Sequence, residues 1–175
     1  MAIDSSISAV SDAALQRLAV QVGAHLMDSE RRLVSAESCT GGWIAKVVTD
    51  IGGSSNWYLG SVVSYSNTLK SALLGVLPST LAAHGAVSEA VAREMAIGAL
   101  ETLGGQVAVA VTGIAGPGGE QPGKPVGTVW FGWAWYQDGE IETRVAMESF
   151  AGDREAVRRQ TVARSLGEVL LIDGP

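Results

Sequence analysis

The stretch Glu37-Ser38-Cys39-Thr40-Gly41-Gly42 sets three small nucleophilic side chains and two glycines between a short apolar run and a helical pattern. A serine placed at a strand end, just ahead of a helix, has an exposed hydroxyl. The backbone N–H groups of Thr40, Gly41 and Gly42 would then be unpaired and aligned with the positive end of the helix dipole, where a developing oxyanion can be received. Paired glycines also let a substrate carbonyl approach the backbone closely. The same residues describe a simple helix cap by Ser38 or Thr40, and the hexapeptide alone leaves both readings open.

A serine nucleophile needs a base. Of the two histidines, His25 falls within a surface-type helix and His84 precedes Gly85 at a helix end, where histidine commonly meets terminal carbonyls. The chain has three lysines. Lys46 lies two helical turns beyond Ser38, roughly 12 Å along the axis, an awkward span for direct proton transfer. Lys124 belongs to a Gly/Pro loop. Lys70 closes "SYSNTLK", which puts Tyr65 at the end of a strand and Lys70 one turn into the next helix. A desolvated lysine can lose its proton near neutral pH and act as a base, with a tyrosine hydroxyl relaying the proton. Taken singly, Tyr65 also reads as a half-buried strand residue and Lys70 as a solvated helix residue.

"TGIAGPGGEQPGKP", residues 112–125, follows the most apolar strand, where α/β proteins place ligand loops. Gly118, Gly123 and Lys124 nearly match P-loop spacing. Pro125 replaces the magnesium-binding Ser/Thr, however, and a strand follows instead of a helix, which excludes an NTPase. Successive N–H groups could still form a nest for one phosphate or carboxylate. Arg154 and Arg158, four apart at the start of the last helix, suit either a phosphate clamp or pairing with Asp153 and Glu155 in water. Trp130, Trp133 and Trp135 lack interleaved basic residues and read as core and interface.

The elements that must position these groups follow from periodicity. A helix is expected over about 11–28, a strand over 32–37, a helix over 40–50 and a strand over 61–65. Residues 67–76 read as helical, and Pro78 begins a connecting turn. Ser88 is placed to cap a helix that runs to Leu103 and ends at Gly104 and Gly105. Residues 107–113 form a continuous apolar run, as in a strand covered on both faces. Asp138-Gly139 marks a hairpin between strands 126–136 and 141–150, and a final helix spans about 153–171. These elements specify a three-layer α/β/α sandwich with a mixed, mostly parallel sheet that includes one antiparallel hairpin.

At 175 residues, 47% hydrophobic and 17% charged, the chain reads as one domain over 1–175, with residues 1–10 a flexible segment. Its net charge of −6 offers no broad positive field for a nucleic acid. One cysteine can form no internal disulfide, and no apolar run is long enough for a membrane span. A cytoplasmic location is expected, with no nucleic-acid or membrane partner.

Together "AESCTGG", "TDIGGSS", "VSYSNTLK", "LLGV", "HGAVSE", "TGIAGPGG", "KPVGTV" and "GDREAVRRQT" occur in an order that resembles the C-terminal domain of the CinA family, over about residues 15–165. Stand-alone members are nicotinamide-mononucleotide deamidases, so the resemblance implies hydrolysis of that nucleotide's carboxamide to nicotinic acid mononucleotide and ammonia, without metal or cofactor, in pyridine nucleotide salvage. It further implies Ser38 as nucleophile, Lys70 as base and Tyr65 as proton relay. Thr40, Gly41 and Gly42 would hold the oxyanion, while Thr112, Gly113, Gly116, Gly118 and Gly119, with Arg154, would bind substrate. A homo-oligomer, a dimer, is the expected assembly. Gly52 and Ser61 depart from the family's usual proline and glycine, both in scaffold segments. Long members carry an N-terminal domain associated with pyrophosphatase activity on ADP-ribose; that activity is not expected of this chain. A non-catalytic module binding a nucleotide through the 112–119 loop is the alternative.

Overall fold

The structure, a computed structural model, describes residues 10–172; apart from Val10, the expected flexible segment 1–10 lies outside them. Helix α1 (Asp12–Asp28) starts at Ser11, whose side chain accepts from the Ala14 N–H, and buries Leu15, Ala19, Val22 and Leu26 along one face. Strand β1 (Leu33–Glu37) is buried throughout and ends one residue before Ser38. Helix α2 (Trp43–Thr49) begins three residues later than periodicity suggested. The reason is local: Gly41 and Gly42 take φ of 61° and 99°, in the left-handed region, and no right-handed helix can include them.

Strand β2 (Tyr58–Val63) starts and stops earlier than expected, so Tyr65 lies past the strand end. Helix α3 (Asn67–Leu74) is capped by Ser66, and α4 (Pro78–His84) is a short helix where a turn was expected. Pro78 at its first turn is compatible with this, because the N–H that proline lacks would be unpaired there anyway. Helix α5 (Glu89–Leu103) is capped by Ser88 and stops at left-handed Gly104. Strands β3 (Val107–Gly113), β4 (Thr128–Gln137) and β5 (Glu140–Ser149) follow, then α6 (Arg154–Val169), capped by Asp153. Asp138 and Gly139, both with positive φ, turn β4 into β5 as the hairpin signal required.

The sheet order is β2-β1-β3-β4-β5. β1 runs parallel to both β2 and β3, whereas β4 is antiparallel to β3 and to β5, so four strands point one way and β4 the other. Alternation along β3 separates the two layers of core. Val107, Val109 and Val111 pack with α1, α2 and α6 residues, while Ala108 and Ala110 face α5 and α3. The sandwich is therefore α/β/α, as the element pattern implied.

Small residues set the spacing on the α5 face. A Cβ added at Gly132 would sit 2.2 Å from the Ala92 carbonyl oxygen, and one at Gly98 only 1.8 Å from that of Leu74. Gly98 thus allows the C-terminal end of α3 to rest directly on α5. That contact fixes how deeply α3, and the lysine it carries, sits against the sheet.

Candidate active site

Ser38 follows β1 at the C-terminal edge of the parallel strands, with its N–H donating to the Val111 carbonyl of β3 at 3.1 Å. The chain then turns sharply, with the Gly41 N–H donating to the Ser38 carbonyl. Glu37, with no exposed surface, holds this turn from inside. Its Oε2 accepts from Thr40 Oγ1 at 2.7 Å, Gly42 N at 2.9 Å and Ile44 N at 3.0 Å, and its Oε1 accepts from Ala45 N at 2.9 Å. A carboxylate at a helix N-terminus satisfies donors the helix leaves unpaired and interacts favourably with its dipole.

This corrects the expected oxyanion pocket. Gly41 and Gly42 have their N–H groups engaged, by the Ser38 carbonyl and Glu37, and Thr40, whose N–H has no acceptor within the described residues, has no exposed surface. The Thr40 side chain is likewise committed to Glu37.

Lys70 lies on the inward face of α3 beside Leu74 and is 1% exposed. Its Nζ donates to Ser38 Oγ at 2.9 Å and to the Ser64 carbonyl at 2.7 Å. No carboxylate pairs with it among the described residues. Burial pushes its pKa below the ordinary lysine value, because the ammonium loses hydration that no counter-charge replaces. The other lysines are elsewhere. Lys46 is exposed and pairs with Asp50 at 2.6 Å, which raises its pKa, and Lys124 donates to the His84 carbonyl. His25 meets the Ile172 carbonyl. Cys39 is buried, and desolvation pushes its thiol up to about 12, so it is a poor source of thiolate.

Ser38, Lys70, Tyr65, Thr112, Gly113 and Arg154 line one cleft of about 190 Å³. Tyr65 is exposed at its mouth, and its hydroxyl oxygen accepts from Arg154 Nη2 at 3.2 Å; it makes no hydrogen bond with Ser38 or Lys70. Arg154 Nη1 also donates to the Gly116 carbonyl at 2.6 Å, tying the Gly/Pro loop to α6. Thr112 Oγ1 donates to the Ala86 carbonyl and so holds the cleft wall. Gly113 has no room for a side chain, since a Cβ would meet Val129 and Thr128. Gly118 and Gly119 are exposed and do not line this cleft. A wider, open hollow of about 660 Å³, bordered by Gly42, Trp43, Lys46 and Arg158, shares Arg154 with it.

Two residues of this region carried no assigned role in the sequence reading or only an uncertain one. Glu37 stands in the quoted motif, and the absence of a side-chain cap immediately ahead of α2 is the only trace of its task. Arg158 donates from Nε to the Cys39 carbonyl at 3.1 Å and from Nη2 to the Thr40 carbonyl at 2.7 Å, which no spacing rule announces. Among the described residues, no group of three His, Cys, Asp or Glu side chains could hold a metal ion, and no helix is long and apolar enough to cross a membrane.

The fold and cleft define an α/β/α domain that presents a serine hydroxyl to a buried lysine at the edge of its parallel strands. Residues 15–171 match the CinA C-terminal domain family. The chain is 51% identical over 157 residues to the nicotinamide-nucleotide amidohydrolase PncC of Escherichia coli K12, covering 90% of this chain and 93% of that protein. It is 53% identical over 138 residues to a CinA-like protein of Mycolicibacterium gilvum, covering 78% of this chain and 32% of that longer one. A crystal structure of a CinA superfamily protein from Klebsiella pneumoniae superposes with a TM-score of 0.83 at 39% identity, covering 90% of this chain and 96% of the other. The chain belongs to the CinA C-terminal domain family.

Proposed function

We propose that this protein hydrolyses the carboxamide of nicotinamide mononucleotide to nicotinic acid mononucleotide and ammonia through an ester on Ser38. One observation carries the chemistry: a serine hydroxyl 2.9 Å from the amine of a lysine that is desolvated and lacks a counter-charge. The substrate follows from the amidohydrolase PncC of E. coli, whose sequence aligns over 90% of this chain.

Neutral Lys70 accepts the Ser38 proton as Oγ attacks the amide carbon. The tetrahedral adduct collapses, Lys70 returns its proton to the leaving nitrogen, and ammonia departs. Water then adds to the ester with Lys70 again as base, and the second collapse restores Ser38 and frees the carboxylate. Tyr65, at the mouth, relays protons between the cleft and solvent. Splitting amide hydrolysis in this way replaces one difficult displacement by two easier ones.

The narrow cleft suits the pyridine carboxamide, and the ribosyl phosphate extends to Arg154 at its mouth. Arg154, rather than Gly118 and Gly119, then meets the phosphate. In the cell the reaction returns pyridine nucleotide to salvage in the cytoplasm, without cofactor. Exposed Leu59 and Val63 on edge strand β2, with Leu69 and Leu73 on α3, support assembly as a homodimer through that side. The direct test is ammonia release from nicotinamide mononucleotide by the purified protein, with stoichiometric nicotinic acid mononucleotide expected. No release at any pH between about 6 and 10 would reject the reading.

A further inference from the structure

The turn that carries Ser38 is gripped on both of its polar sides. Glu37 collects the donors of residues 40, 42, 44 and 45 from within the fold. Arg158, reaching across from α6, takes the carbonyls of Cys39 and Thr40 with two nitrogens of one guanidinium. Its guanidinium carbon lies over the Trp43 ring, 5.2 Å from the ring centre, so the group is itself held in place.

The consequence lies in the peptide planes. In a trans peptide the C=O and the following N–H point in opposite directions. Fixing the Cys39 carbonyl toward Arg158 therefore turns the Thr40 N–H away from α6, and fixing the Thr40 carbonyl turns the Gly41 N–H back to the Ser38 carbonyl, where it is found. Loss of either grip lets the turn shift, and Ser38, joined to it, shifts relative to Lys70.

We propose that Arg158 and Glu37 are positioning residues for the hydrolysis: they fix the turn that follows Ser38 and so hold its hydroxyl against Lys70 without touching the substrate. This departs from a phosphate-clamp role for Arg158, whose Nε and Nη2 are spent on backbone carbonyls while Arg154, one turn earlier, faces the cleft. The inference rests on the amidase reading above, and the two fail differently.

The discriminating variant is Arg158→Lys. It keeps the positive charge, but one ammonium cannot reproduce the planar fork that reaches two carbonyls at once. Steady-state rates of wild type and variant are compared on nicotinamide mononucleotide and on nicotinamide riboside, which lacks the phosphate, at a temperature where melting curves show both proteins folded. Positioning predicts that kcat falls at least about tenfold, since small misplacements of reacting groups carry losses of this order or more. KM for the mononucleotide should stay within about twofold, and kcat/KM should fall by the same factor on both substrates. Glu37→Gln should give the same pattern, because its NH2 sets a donor against a donor now facing an oxygen.

A loss confined to the mononucleotide, with KM raised and kcat kept, would make Arg158 a phosphate ligand and overturn the proposal. Unchanged kcat in a folded Arg158→Lys would also overturn it, as would collapse of the fold in that variant, which would make the residue structural. Wild-type protein inactive on both compounds would instead remove the amidase reading beneath it.

Discussion

Lys70 Nζ stands 2.9 Å from Ser38 Oγ, and its other hydrogen-bond partner is the backbone carbonyl of Ser64. Thirty-two residues separate the two side chains in sequence, and what joins them is the register of β1 and β2 together with the seating of α3 on α5. A buried ammonium with no counter-charge is costly to retain, which favours the neutral amine that the proposed mechanism requires.

Lys70→Arg should therefore be nearly inactive, because a guanidinium cannot surrender its proton at accessible pH. In the wild type, kcat/KM should rise with pH along a limb whose midpoint lies below the ordinary lysine pKa of about 10.4. Stability should respond in the same window. Between the lowered native value and about 10.4 the unfolded chain binds a proton at Lys70 that the native protein does not, so the Lys70 contribution to stability rises with pH there, opposed toward its upper end by the raised Cys39 thiol, and Lys70→Met should remove that contribution. Near wild-type turnover by Lys70→Arg would leave the base unassigned.

Cys39 adjoins the proposed nucleophile and belongs to a more nucleophilic residue class, yet burial keeps its thiol protonated. Cys39→Ser should retain most activity, whereas Ser38→Ala should lose at least about a hundredfold in kcat. The opposite ranking, measured by ammonia release, would transfer the chemistry to the thiol.

Arg154 and Arg158 are one helical turn apart and should carry different kinetic signatures. Arg154→Ala should raise KM for nicotinamide mononucleotide about tenfold or more while changing kcat/KM for the riboside little, as expected when a charge-assisted contact to a phosphate is removed. Equal losses on both substrates would place the phosphate elsewhere.

Gly98→Ala tests the scaffold behind the proposed base. Its Cβ would arrive 1.8 Å from the Leu74 carbonyl oxygen, so α3 must move away from α5. Overpacking of this kind typically costs about 1–3 kcal/mol. Because Lys70 rides on α3, kcat should fall along with the melting temperature; a loss of stability with full kcat would separate the helix contact from placement of the amine.

Much of the fold was legible because local chemistry and burial pattern agreed. Ser88 caps where a cap was expected, Val107–Gly113 reads as a doubly covered strand, and Asp138-Gly139 marks its hairpin. The misplaced start of α2 came from treating Gly41 and Gly42 as helical, when both adopt left-handed φ. The Pro78 helix was missed because proline at a first helical turn is indistinguishable in sequence from proline in a bend. At the site, Ser38 and Lys70 were expected at one edge of the sheet, but the ties of Glu37 and Arg158 to the nucleophile turn were not. Those depend on which backbone groups remain unpaired after folding, a property of the tertiary structure rather than of residue spacing.

The central claim is a covalent intermediate on Ser38, and mass spectrometry of acid-quenched reaction mixtures tests it most directly. Protein mixed with nicotinamide mononucleotide for milliseconds to seconds should gain the mass of the nicotinic acid mononucleotide acyl group, mapped by peptide digestion to Ser38 and absent from Ser38→Ala. An adduct mapped to Cys39, or full turnover by Ser38→Ala with no adduct at any time point, would contradict it.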